Sequence, residues 1–307
     1  MKILCIGHSA YNISFEVENL PKENTKTYYR DLLFNSGGDA SNMAYLLGKY
    51  GAETYLASAV GDDTYGTLIK KELETVNVHT EYMETAYDKK TDIEVIMLNK
   101  NNNSKTLIGL SKESLFLKKS DFLMNPDLII TDGYDYGASL AALNKFPNKI
   151  SIITANTCTS ETVELCKYCT YIIMSHEFAE WITKVTINYD NPQSLVTLYS
   201  ALLNKFPRKQ IIVTLEDKGA MFMTDNQIKV MPGLAVKAVD TTGAGNVFQA
   251  SFAYALMQQY DLEKTVTFAN IAAGLSVTKR GAKESVPELS DIMAYFNQKF
   301  GSQNANH

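Results

Sequence analysis

Along most of this chain, short apolar runs alternate with segments whose apolar residues recur every three or four positions. The first pattern predicts buried strands and the second predicts helices with one face inward. The opening run, Lys2-Ile3-Leu4-Cys5-Ile6-Gly7, predicts a strand. Residues 39–50 predict a helix with Met43, Leu46, Leu47 and Tyr50 inward, ended by Gly51. Residues 53–60 predict a strand, and 64–75 a helix whose buried side carries Leu68 and Leu73. From residue 127 the alternation is regular. Strands are expected over 127–132, 149–155, 171–175 and 210–215, and helices over 138–146, 160–168, 176–184 and 192–206. Residues 219–224 and 227–231 predict an antiparallel pair turning at Asp225-Asn226, with strand character running on to 235. Helices follow at 244–260, 262–279 and 289–300. Alternation of this kind predicts an α/β fold with a mostly parallel sheet covered on both faces.

Two stretches break the pattern. Residues 16–34 are rich in Thr, Tyr and Val without a helical period, and predict short exposed strands. Residues 91–110 predict a hairpin. Its arms are Asp92-Ile93-Glu94-Val95-Ile96-Met97-Leu98 and Thr106-Leu107-Ile108-Gly109, about a turn at Lys100-Asn101-Asn102-Asn103-Ser104. With residues 12–35 this hairpin predicts a small separate sheet. The tail, 301–307, is expected to be disordered. The 307 residues suit one large domain, or a core with a small appendage.

Composition narrows the function classes. A net charge of −5 argues against nucleic acid or an anionic membrane as the main partner. No stretch approaches the roughly 20 apolar residues of a membrane span. The apolar start is too short for a signal peptide and reads better as a strand, so a cytoplasmic location is expected. The four cysteines are Cys5, Cys158, Cys166 and Cys169. Cys166 and Cys169 have C-x-x-C spacing, but no second pair faces them and His176 is the only nearby histidine. Buried helix thiols in a reducing compartment are the expectation, over a metal or redox site.

The chemistry centres on Val239-Asp240-Thr241-Thr242-Gly243-Ala244-Gly245-Asn246-Val247-Phe248. This reads as a turn that opens a helix, with Phe248, Phe252, Ala255 and Leu256 at helical spacing behind it. Small residues let backbone approach a ligand. The first helical turn offers unpaired N–H groups and a positive dipole end, a natural place for phosphate. As a bare spacing it is equally an ordinary helix start. In its extended form it resembles the C-terminal signature of the ribokinase-like, or PfkB-type, sugar and nucleoside kinases, which write D-T-x-G-A-G-D-x-F here. The family's catalytic aspartate is Asn246 in this chain.

The resemblance runs nearly end to end. It implies a ribokinase-like three-layer αβα sandwich with a small β-sheet lid, formed by segments about 12–35 and 91–110. It also implies transfer of the γ-phosphoryl of ATP to a hydroxymethyl group of a sugar or polyol. After Gly7, Asn12 takes the place of an acid that holds sugar hydroxyls, and an amide can both donate to and accept from a hydroxyl. Ser36-Gly37-Gly38-Asp39-Ala40-Ser41-Asn42 is similar to the family's G-G-x-x-x-N element. It implies backbone contact with the sugar at Gly37 and Gly38 and hydrogen bonds from Asp39 and Asn42. The alternative for Asp39 is a plain helix N-cap. Val60-Gly61-Asp62-Asp63-Thr64-Tyr65-Gly66 resembles an architectural turn of the family.

On the nucleotide side, Ser175-His176-Glu177-Phe178 stands where the family has N-x-x-E, tied to magnesium and phosphate. Both end positions depart, leaving Glu177 and Glu180 as candidate substitutes or as plain solvated carboxylates. Val213-Thr214-Leu215-Glu216-Asp217-Lys218-Gly219 resembles the V-T-L-G-x-x-G segment that touches ATP, with Glu216 at its first glycine. The stretch from Phe268 through Thr278, with Gly281-Ala282 and Pro287, resembles the adenine-holding helix and loop. The nucleotide-binding residues so implied are Ser175, Thr214, Gly219, Asn270 and Ala273, with Mg2+ as the companion of ATP. In some family members the equivalents of Asp240 and Thr242 cradle a monovalent cation, which here makes K+ a candidate. Lid strands that pair between subunits make a homodimer a candidate.

The Gly243-Ala244-Gly245 amides are expected to stabilise charge on the phosphate. Asn246 cannot serve as the base, a role typically worth about 10²–10⁴-fold. Three accounts stand open: an introduced substitution that traps substrate, a natural loss of catalysis with binding kept, or proton transfer to another carboxylate such as Asp39. The competing function is a non-catalytic sugar or nucleotide binder acting as sensor or partner subunit. A dinucleotide-dependent dehydrogenase is a distant third, because no G-x-G-x-x-G follows the first strand. A Walker-type G-x-x-x-x-G-K-[ST] is also absent from the sequence.

Overall fold

The computed structural model of the chain describes residues 1–102, 104–109, 115–281 and 283–300. The larger sheet takes β1 (Lys2–Ile6), β4 (Glu53–Gly61), β5 (Met83–Ala86), β8 (Leu128–Thr131), β9 (Ile150–Ala155), β10 (Tyr171–Ser175), β11 (Gln210–Thr214), β12 (Ala220–Thr224) and β13 (Gln227–Met231). Their spatial order is β13-β12-β11-β10-β9-β8-β1-β4-β5. Pairing is parallel from β11 to β5 and antiparallel through β12 and β13 at the other edge.

Alternate residues of a strand point to opposite faces, and both faces of this sheet are covered. Ile3 and Cys5 belong to one core, with α1 (Asp39–Lys49), α2 (Thr64–Glu74), α7 (Ala244–Met257), α8 (Leu262–Ser276) and α9 (Leu289–Phe300). Leu4 and Ile6 belong to the other, with α3 (Tyr136–Lys145), α4 (Ser160–Cys166), α5 (His176–Thr183) and α6 (Pro192–Lys205). This is the ribokinase-like three-layer arrangement. The short β1, buried from Ile3 to Ile6, reads as continuous apolar sequence for that reason.

A second, four-stranded sheet forms the lid, in the order β3-β2-β6-β7. Its strands are β2 (Ala10–Val17), β3 (Tyr29–Gly37), β6 (Ile93–Asn99) and β7 (Lys105–Ile108). The β6–β7 hairpin forms as the alternation predicts. Residue 103 of its turn, the end of its second segment at 110, Ala282 and the tail 301–307 lie outside the described residues. The first lid strand starts at Ala10, earlier than expected, and pairs antiparallel with β3 so that Ala10 meets Gly37. The lid therefore leads straight into the double glycine. Asp63 joins lid and core. It caps α2 at the Gly66 N–H (3.0 Å) and accepts from both the backbone N–H and the hydroxyl of Thr91 (2.9 and 2.7 Å), the architectural part expected of its turn.

Several expectations need correction. Leu68 is 40% exposed, and Ile69 is the residue that joins Leu73 inside. Strand β5, only four residues and mostly half-buried, has too little pattern to be read from sequence. The strand after Asn226 stops at Met231, before Pro232, a residue without a donor for the ladder. Helix α3 starts two residues early because Asp135 caps it. Helix α8 ends at Ser276 rather than 279. Of the C-x-x-C pair, Cys166 ends α4 and Cys169 lies just beyond it. Both are buried free thiols, and burial pushes the Cys166 thiol up to about 12.

Candidate active site

Helix starts leave N–H groups without partners, and most proteins cap them. Here Asp63, Asp135, Thr159, Ser175, Asn191 and Asp261 cap α2, α3, α4, α5, α6 and α8 through their side chains. Helices α1 and α7 instead start at glycines with positive φ, Gly38 (86°) and Gly243 (79°), and have no side-chain cap. Asp39 is thus the first helical residue, not the N-cap.

These two uncapped starts face each other. Asn246 Nδ2 donates to Asp39 Oδ1 at 3.0 Å, across 207 residues of sequence. At α7 the Val247 N–H returns to the Gly243 carbonyl (2.9 Å), and the Ala244 N–H turns to the Thr241 carbonyl (3.3 Å). Among the described residues, no acceptor meets the N–H groups of Gly243, Gly245 and Asn246. Among the described residues these three amides are free for an anion, and of the expected Gly243-Ala244-Gly245 set the Ala244 N–H is the one with an internal acceptor.

The double-glycine turn is made by close approach. A Cβ at Gly38 would stand 2.5 Å from the His8 carbonyl oxygen, and one at Gly37 would stand 2.2 Å from Asn12 Oδ1. Asn12 is buried on β2, and Asn42 lies one turn after Asp39 on α1. The amide oxygens of both are buried and, among the described residues, accept no hydrogen bond. Buried acceptors without donors are costly, and a ligand's hydroxyls can supply the missing protons. Asn12, Asn35, Asp240, Thr242 and Gly281 line one crevice between the lid and the α7 turn. Its volume of about 10 Å³ is water-sized.

Asp132, at the end of β8, organises the site and was missed in the sequence. Its Oδ2 accepts from the His8 N–H (2.8 Å) and the Ala40 N–H (3.0 Å), and its Oδ1 accepts from the Tyr134 N–H (2.9 Å). One carboxylate thus pins the loop after β1 to the first turn of α1. The only signal was its position at the carboxyl end of a parallel strand, where sites in such sheets gather. Burial, then the charge of Asp39, pushes Asp132 up to about 6 against the pull of its donors. Beside it, His8 Nε2 stands 3.1 Å from Asp92 Oδ2 and Nδ1 stands 4.0 Å from Glu94. Burial pushes His8 down, but the Asp92 hydrogen bond and the charges of Asp132, Glu94 and Asp92 outweigh it, and the imidazole titrates above its ordinary value.

The residues expected to hold nucleotide are brought only partly together. Ser175 and Thr214 are register partners at the ends of β10 and β11. Ser175 Oγ is committed to capping α5 at the Phe178 N–H (3.2 Å), and the Thr214 hydroxyl donates to the Met174 carbonyl (3.3 Å). Gly219 takes φ 95° in a turn where a Cβ would lie 2.0 Å from the Met231 carbonyl oxygen. Glu216, where the resembled family has glycine, has φ 52°, in the left-handed region that glycine adopts most readily. Asn270 is buried, donates to the Met231 and Pro232 carbonyls and lines a groove of about 280 Å³ with Gly233, Leu234, Ile271 and Tyr295. Ala273 is half-buried one turn further along α8.

Two metal expectations fare differently. Phe178 is fully buried and Ser175 is spent as a cap, so this pair does not fit magnesium, which asks for several oxygen ligands. The nearest cluster of donors is His176, Glu177 and Glu216, whose ligand atoms lie within 4.8 Å of one another. At the α7 turn the Asp240 carboxylate accepts from the Thr242 N–H (2.9 Å) and the Gly281 N–H (3.0 Å), while Thr242 Oγ1 is buried without a partner among the described residues. An orphaned hydroxyl oxygen beside a carboxylate fits a monovalent cation such as K+.

Comparison with known proteins bears on this geometry. The profile of the pfkB family carbohydrate kinases matches residues 1–289. The chain is 28% identical over 308 residues to the ribokinase of Bacillus subtilis, covering 95% of this chain and 98% of that one. It is 26% identical over 310 residues to the deoxyribokinase of Salmonella typhi, covering 97% and 99%. The structure of Arabidopsis thaliana ribokinase complexed with ribose and ATP superposes with a TM-score of 0.77 at 22% identity, covering 96% and 98%. That likeness speaks to the fold.

Proposed function

The chain belongs to the pfkB family of carbohydrate kinases, and on that premise we propose that it transfers the γ-phosphoryl of ATP to a hydroxymethyl group of a sugar or related polyol. The observation that carries this reading is the meeting of the two uncapped helix starts. The α7 start offers three free N–H groups to a phosphate. The α1 start and Asn12 offer a carboxylate and two unsatisfied amide oxygens to hydroxyls. Adenine fits the groove beside Asn270. ATP enters as its magnesium complex, with no magnesium ligand assigned at residues 175 and 178. Asp240 and Thr242 would hold K+, which adds positive charge behind the phosphate site. Phe34, Leu107 and Ile108 leave exposed apolar area on the lid, in keeping with a homodimer through that sheet.

A second reading has one specific observation in its favour. Asn246 at the usual base position and the altered residues 175 and 178 fit a protein that binds sugar and nucleotide without turning them over. Both readings expect binding. In a thermal melt against a panel beginning with ribose, 2-deoxyribose and nucleosides, one compound at about 100 times its Kd should add about 2.7 kcal/mol and raise the Tm by roughly 5 °C. Steady-state turnover with ATP then separates kinase from binder. A panel with no Tm response at all contradicts both.

A further inference from the structure

We propose that Asp39 takes the proton from the acceptor hydroxyl and that Asn246 positions it; the assignment rests on the kinase reading above. Residue 246 cannot accept a proton usefully, yet its amide is not idle, because Nδ2 holds Asp39 Oδ1 at 3.0 Å. That contact leaves Asp39 Oδ2 with no donor among the described residues. Asp39 is half-buried rather than sealed. It opens α1, where a carboxylate sits against the positive helix end, and it lies between the double-glycine turn and the free amides of α7.

The other nearby carboxylates are otherwise engaged. Asp132 is buried and occupied by three backbone donors. Asp92 is buried against His8 and Tyr134. Glu94 is mostly buried on the lid, facing His8. Among the described residues, the charges that reach Asp39 are those of Asp132 just after β8 and Glu94 on β6, with Asp92 and His8 paired to each other behind them.

The step balances simply. The hydroxyl oxygen forms its bond to the γ-phosphorus as its O–H proton passes to Asp39. The bond between that phosphorus and the β–γ bridging oxygen breaks, and ADP leaves with the electron pair. The proton on Asp39 is afterwards lost to water. The carboxylate of the base has in effect moved from the α7 side of the cleft to the α1 side, with an amide left in its former place.

The test is a swap. Asp39→Asn, Asn246→Asp and the double variant are compared with the parent for kcat, KM, pH profile and sugar-induced Tm shift. Asp39→Asn should lower kcat by about 10²–10⁴-fold while a sugar-induced shift persists. The double variant should recover most of that loss, because a carboxylate again faces the hydroxyl. Asn246→Asp alone should gain less than tenfold, with its pH profile displaced by two carboxylates in contact. Should Asp39→Asn fail to fold, Asp39→Ser, a residue suited to helix starts, takes its place. Either of two results overturns the assignment: kcat within threefold of the parent in Asp39→Asn, or a gain of 100-fold or more in Asn246→Asp that persists unchanged without Asp39. In both cases the kinase reading survives. Silence of all four proteins over the sugar panel removes the kinase reading and this assignment together.

Discussion

Gly245→Glu is expected to leave the fold intact and to cut turnover by about 10²–10³-fold, the range for losing preorganised donors at a developing charge. Gly245 is exposed, its φ is not in the left-handed region, and a Cβ there meets nothing within 4 Å. The fold has room for a side chain, so stability should change by no more than about 0.5 kcal/mol. The carboxylate, however, would hang over the free N–H groups of Gly243, Gly245 and Asn246 and compete with phosphate. Gly245→Ala is the control and should keep most of the parent's turnover. A calorimetric melt paired with an ATP-dependent rate measurement checks both halves. Parent-level turnover in the glutamate variant would mean that the α7 start does not face the transferred group.

Asp132→Ala is expected to have the largest effect on stability. It strips the acceptor from the buried N–H groups of His8 and Ala40 and from the half-buried one of Tyr134. Buried donors left unpaired cost about 1–3 kcal/mol each, so the two buried ones alone give a loss of roughly 2–6 kcal/mol, and a Tm lower by roughly 5–10 °C is expected. The pH dependence follows from the direction of the shifts. Asp132 titrates at about 6, above the ordinary carboxylate value of 3.8. The folded state therefore binds its proton more tightly than the unfolded chain. That contribution is fully present below the unfolded value and is lost as pH rises through about 6. His8, also raised, acts in the same direction: its contribution is present below its ordinary value of 6.5 and is lost as pH climbs past it. From about pH 5 to neutrality, above the range of the carboxylates held low such as Asp63, the parent's Tm should fall, and Asp132→Asn should flatten that fall. A parent Tm that climbs over the same range contradicts this account.

The scaffold was readable because its elements carry strong periodic patterns. Met43, Leu46, Leu47 and Tyr50 define α1 from sequence and are buried as expected. The parallel strands, covered on both faces, appear as unbroken apolar runs. Elements that rest on little pattern were not readable. Strand β5 has four residues and shallow burial, and on α2 the inward position fell to Ile69 beside Leu68. At the site, the glycine signatures marked both helix starts, since Gly38 and Gly243 do take left-handed conformations. What joins them escaped, because sequence spacing carries no information about contacts such as Asp39–Asn246 or Asp132–His8, separated by 207 and 124 residues. Ser175 illustrates the limit from the other side. Expected as a nucleotide contact, it caps α5, a role its residue type suits equally.

The most direct measurement follows ATP by phosphorus NMR in the presence of the sugar that raises the Tm most. The account predicts that the γ-phosphate resonance is replaced by equal amounts of ADP and a phosphomonoester on a primary hydroxyl of that sugar. ADP accompanied only by inorganic phosphate, or ATP left unchanged beside a bound sugar, would contradict it.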